Sequence, residues 1–125
     1  MEELLNIAKN AFPPVSGSEK VKGTQEEVEI LWDKWGIPHI YAKTINDAYF
    51  AQGYIHASHR LWQLEFFRRV SSGKLSEIVG EATLDRDKHY RIIGLHRIAK
   101  KCAKNLRKNP NNDILVSLNS YVKGV

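Results

Sequence analysis

Few side chains in this sequence stand at spacings that chemistry uses. His56 and His59 are three apart, so on one helical face both rings could approach a divalent metal if acids joined them. No His-Glu-x-x-His run accompanies them, and Glu65 lies six positions further on, off that face. Hydrogen-bonded or solvated histidines are the better reading, and no metal ligand is assigned. Ser58, between the two histidines, is the local candidate for a nucleophile. Adjacent helical positions diverge by about 100°, and no strand–turn–helix elbow surrounds Ser58, so catalysis is not expected of it.

Cys102 stands on an apolar stripe and is expected to be a small buried hydrophobe. As the single cysteine it forms no internal disulfide and supplies no cluster of thiolates. The segment with Arg86, Lys88, Arg91, Arg97, Lys100, Lys101, Lys104, Arg107 and Lys108 has only Asp85 and Asp87 beside it, a stripe that could face phosphates. It lacks interleaved aromatics, a Gly-rich loop and a nucleic-acid module, so a solvated face is expected, with no nucleic-acid partner. A small basic binding module for nucleic acid or protein is the alternative to an enzyme. Asp87 with Arg91, and Glu65 with Arg69, are spaced to pair along a helix, which adds little when exposed. Trp32, Trp35, Tyr41 and Trp62 are expected in the core, where a hairpin packs on a helix.

The elements that must hold these residues follow from punctuation and periodicity. Residues 1–27 read as an arm: a short helix around Leu4 to Ala11, then Phe12-Pro13-Pro14-Val15-Ser16-Gly17-Ser18, which breaks regular structure. Val28, Ile30 and Trp32 alternate with Glu29, Leu31 and Asp33 as in a half-buried strand. Lys34, Trp35 and Gly36 suit a tight turn, and Pro38 keeps the chain extended into Ile40-Tyr41-Ala42, completing a β-hairpin. Thr44 and Asp47 form a helix cap, and a long helix from Asn46 to about Ser72, apolar on nearly every face, is expected to be enclosed by neighbours, with Gly73 as its stop. One more turn at Ser76–Gly80, a helix from about Asp87 to Lys108 with the stripe Ile92, Leu95, Ala99, Cys102 and Leu106, and a final helix capped by Asn112 or Asn111 complete the chain.

At 125 residues, with 42% apolar and 26% charged, the chain is long enough for one domain or a piece of one, and its composition excludes intrinsic disorder as an account of the whole. The net charge of +5 permits an anionic partner without demanding one. No apolar run reaches the ~18–20 residues of a membrane span. Acids occupy the positions where a secretory signal has its basic region.

Several separate words agree in order and spacing with one family. The run Asp33-Lys34-Trp35-Gly36-Ile37-Pro38-His39-Ile40-Tyr41-Ala42, then Asp47 through Ala57, Arg60-Leu61-Trp62-Gln63-Leu64-Glu65, Arg68-Arg69, Gly73-Lys74-Leu75-Ser76-Glu77, Gly80, Asp87, Arg91 and Tyr121 to Val125 resembles the start of the α chain in penicillin acylases (penicillin amidases). The likeness covers residues 28–125. The family commonly has Ala-Gln-Asp-Arg where this chain has Ala57-Ser58-His59-Arg60, so an acid beside Arg60 is missing.

The resemblance implies an α+β fold, an N-terminal β-hairpin followed by mainly α-helices, forming part of the αββα sandwich of an N-terminal nucleophile hydrolase. It implies amide hydrolysis of a small N-acyl substrate by the new N-terminal Ser of a β chain cut from the same precursor, with that serine's own amine as base. The implied partners are the rest of the α chain and that β chain. No residue here matches a catalytic position, the residues touching substrate are unknown, and no cofactor is assigned to this chain. Calcium belongs, by resemblance, to the full-length protein. Made alone, the chain is expected to be inactive, to leave Tyr49, Phe50, Tyr54 and Trp62 incompletely buried, and to self-associate or show a loose core. As written it has no signal peptide and would be cytoplasmic, whereas the family is often exported, so no location is assigned.

Overall fold

The computed structural model describes residues 2–125. Its elements are α1 (Glu2–Ala11), β1 (Gly17–Lys20), β2 (Val28–Trp32), β3 (Pro38–Ala42), α2 (Ile45–Ser72), α3 (Ser76–Val79), a 3-10 turn at Glu81–Thr83, α4 (Leu84–Ile93), α5 (Leu95–Leu106) and α6 (Asp113–Gly124). The fold is mixed: a three-stranded antiparallel sheet in the order β1-β2-β3, followed by helices. The chain divides into two units, one of residues 1–59 with 117–125 and one of residues 60–116.

In the first unit, alternation along β2 does what the pattern predicts: Val28, Ile30 and Trp32 are buried, and Glu29 and Leu31 face out. Ile30 pairs with Ile40 of β3 on one side and with Glu19 of β1 on the other. The hairpin turn is held by Asp33, whose Oδ1 accepts the N–H groups of Trp35 at 2.8 Å and Ile37 at 2.9 Å. Ala51 and Ile55 of α2 join Val21, Val28, Ile30 and Trp32 in the core, with Ile40, Ala42, Phe50 and Tyr54 packed against it. Complete burial of a side chain such as Ile30 is worth about 1.5–3 kcal/mol.

β1 lies in the stretch read from sequence as an arm. Its Gly-Ser-Glu-Lys residues carry no apolar alternation, and their strand conformation comes from pairing with β2. Of the four aromatics expected in the core, Trp32 is there and three are not: Trp35 stands in the hairpin turn at 77% exposure, Tyr41 on the outward face of β3 and Trp62 on an open helical face. Tyr49, Phe50, Tyr54 and Trp62 are all incompletely buried, as expected of the chain alone. The enclosure foreseen for the whole of α2 holds at Ala51, Gly53 and Ile55 and fails further along.

Arg60 departs from helical geometry (φ −138°, ψ 27°), and the division between the two units falls there. In the second unit Gly73 (φ +64°) ends α2, as its position suggests. The single helix expected from Asp87 to Lys108 is two. Gly94 adopts the left-handed conformation (φ +77°), closes α4 by donating its N–H to the Tyr90 carbonyl, and separates it from α5. Cys102, expected to be buried, is exposed, because no residue of α5 is buried. At the start of α6, Asn112 Oδ1 caps the N–H groups of Ile114 and Leu115.

Candidate functional site

His56, His59 and Ser58, the residues closest to a catalytic or metal spacing, each pack on or bond to a neighbour. His56 Nδ1 lies 2.8 Å from the Tyr121 hydroxyl, while His59 stacks on Trp32 with ring centroids 6.4 Å apart. The helix therefore sends the two rings to different neighbours. Ser58 Oγ donates to the Tyr54 carbonyl at 2.8 Å and the Ile55 carbonyl at 3.2 Å, the usual bonding of a helical serine to its own preceding turn. No base stands within reach of it among the described residues.

Asp47, expected in a helix cap with Thr44, and Asp87, expected to pair along a helix with Arg91, both organise loops as well. Asp47 accepts the N–H groups of Gln25 at 2.8 Å and Glu26 at 3.2 Å and the Thr44 hydroxyl at 2.7 Å. It ties the loop before β2 to the start of α2. The Thr44 hydroxyl in turn accepts the Asp47 N–H, half of the reciprocal cap expected. Burial pushes the Asp47 carboxyl up, but these hydrogen bonds outweigh it and hold it below the usual range.

Asp87 was expected to pair with Arg91 on an exposed face. Instead its carboxylate is buried and accepts the N–H groups of Leu75 at 2.9 Å and Ser76 at 2.8 Å and the Ser76 hydroxyl at 2.6 Å. Arg91 Nε donates to the Gly73 carbonyl at 2.7 Å. A turn followed by a four-residue helix has unsatisfied backbone donors, and a fixed carboxylate meets them better than water does. Burial raises the Asp87 carboxyl; the Ser76 hydroxyl and N–H, the Leu75 N–H and the Arg91 charge bring it below the ordinary value. The other expected pair is present: Glu65 takes Arg68 and Arg69 together, each with a 2.6 Å contact, and the two arginines hold its pKa down to about 2.

Among the described residues, Glu19 Oε2, Trp32 Nε1 and His59 Nε2 in the first unit are buried without a hydrogen-bond partner. Glu19 Oε1 receives the Tyr54 hydroxyl at 2.7 Å, which raises the Tyr54 pKa. These groups carry no nucleophile.

Calcium takes six to eight oxygen ligands. Among the described residues no three of His, Cys, Asp and Glu gather as a metal would require, and the oxygens of Asp47 and Asp87 are taken by N–H and O–H donors. What the arrangement supports is a framework: two buried carboxylates fix the loops that frame α2, and beyond Arg60 that helix presents Leu61, Trp62 and Phe67 uncovered.

Comparison with known proteins gives this framework its context. A family profile described as penicillin amidase matches residues 27–125. The chain is 36% identical over 115 residues to the penicillin acylase 2 proenzyme of Pseudomonas sp. (strain SE83), covering 92% of this chain and 14% of that protein. It is 34% identical over 118 residues to the acyl-homoserine lactone acylase QuiP of Pseudomonas fluorescens (strain Pf0-1), covering 94% of this chain and again 14% of the relative. With the penicillin G acylase of Escherichia coli it shares 35% identity over 68 residues, 54% of this chain and 8% of that enzyme. The chain thus spans about one seventh of the length of the first two relatives.

Proposed function

Because this chain belongs to the penicillin amidase family, we propose that it is the N-terminal scaffold portion of an amidohydrolase that cleaves the amide bond of an N-acyl substrate. The observation that carries the reading is the match over residues 27–125 to proteins about seven times as long.

In this reading the nucleophile lies in the rest of the protein, as the N-terminal Ser of a separate β chain. Its α-amine takes the hydroxyl proton, the oxygen attacks the amide carbonyl, the amine leaves with a proton, and water then releases the acid from the acyl-enzyme. The present residues contribute positioning. In this reading any calcium is placed in the rest of the protein as well. The acyl group is chosen elsewhere, and the relatives' names span penicillins and acyl-homoserine lactones.

The surface of the chain supports a piece awaiting cover. The chain exposes 9721 Å², with Leu61 and Phe67 at 59% and Trp62 at 66%. Exposed apolar patches beyond a few hundred Å² generally mark a missing partner. Its partners are accordingly the remainder of the α chain and the β chain. Binding of a hydrophobic dye by the chain alone, suppressed when the remainder is supplied, tests this; a sharp monomer that binds no dye would refute it.

A further inference from the structure

The basic segment is not absorbed by the scaffold reading. From Lys88 to Asn112 the chain carries eight Lys and Arg residues and no Asp or Glu, although acids outnumber bases in the remainder. Within it, α5 separates its chemistry cleanly. At about 100° per residue, Leu95, Ile98, Ala99, Cys102 and Leu106 fall on one side, while Arg97, Lys100, Lys101 and Lys104 cluster opposite. None of the four cations is in an ion pair among the described residues. Leu95 and Ile98 are 41% and 53% exposed, and the helix buries no residue.

We propose that α5 is an interfacial helix that lays its apolar stripe on an anionic lipid bilayer, its cations drawing it to the surface. A helix of 12 residues is about 18 Å long, too short to span a bilayer but sufficient to lie along one. A nucleic acid would engage the cations and leave the stripe in water. A protein groove, including one in the remainder of the protein, would cover the stripe and has no need of the four cations opposite it. Use of the full-length protein in the test separates the two. An anionic membrane surface uses both faces, because the stripe enters the acyl boundary while the opposite face stays within a Debye length of the headgroups. The proposal is independent of the amide chemistry.

The test is co-sedimentation of the full-length protein with vesicles at about 150 mM salt. Binding is expected to phosphatidylcholine–phosphatidylglycerol vesicles and not to phosphatidylcholine alone. Each cation near such a surface counts for about fivefold in partitioning, so Lys100→Gln with Lys101→Gln lowers binding about 25-fold. Ile98→Gln, a helix-compatible change at an exposed position, removes most of the remainder while circular dichroism is unchanged. Absence of binding to anionic vesicles overturns the proposal, as does undiminished binding of Ile98→Gln. Duplex DNA bound more tightly than the vesicles also overturns it, in favour of a nucleic-acid face.

Discussion

Gly53 and Gly124 meet where α2 passes the end of α6, and neither can carry a side chain there. A Cβ on Gly53 would lie 2.1 Å from the Tyr121 carbonyl oxygen, and one on Gly124 would lie 2.0 Å from the Phe50 carbonyl oxygen. The approach is reciprocal, backbone against backbone, so no rotamer change relieves it. Gly53→Ala and Gly124→Ala are each expected to destabilise by about 1–3 kcal/mol, the usual cost of overpacking. Because the two share one contact, the double variant should cost less than the sum. Denaturant titration of the two single variants and the double checks both expectations.

The buried carboxylates predict an acid transition. Asp47 and Asp87 have folded pKa values below their unfolded ones, so their contribution is complete above about pH 4 and is lost as the pH falls through the folded values. Glu65 behaves alike, losing its pairing between about 4.5 and about 2. Thermal melts from pH 6 downward, about the range where such groups matter, should show Asp47→Asn and Asp87→Asn less stable than the parent at neutral pH and less sensitive to acid. A variant with the parent's acid slope would contradict the assignment.

The hairpin and its core could be read in advance because β2 alternates and Thr44 announces the start of α2, both local signals. What escaped was decided at a distance. β1 has no apolar pattern of its own and is a strand because β2 pairs with it. The Asp87 side chain is separated by 11 and 12 residues from the N–H groups it accepts, so spacing alone offered Arg91 as its partner. Gly94 sits inside an unbroken amphipathic pattern, and only its left-handed backbone shows that the pattern spans two helices. Residue type placed Trp35, Tyr41 and Trp62 in the core, whereas turn position, strand register and helical face set their exposure. His59 against Trp32 crosses from helix to strand and leaves no mark in the sequence.

Leu61, Trp62 and Phe67 separate the chain alone from the whole protein. Replacing Trp62 by Gln in the isolated chain should change stability by about 0.5 kcal/mol or less, as at other exposed sites, and reduce dye binding. If the remainder of the protein covers the indole, as proposed, the same change in the full-length protein should cost about 3–5 kcal/mol. Equal costs in the two contexts would show that nothing covers Trp62.

The most direct test is turnover of a chromogenic phenylacetyl anilide by the full-length protein and by these 125 residues alone. The account predicts hydrolysis by the full-length protein, unchanged in Ser58→Ala, with an acyl-enzyme adduct on a serine outside this chain, and none by the chain alone. Turnover by the isolated chain, abolished by Ser58→Ala, would contradict it.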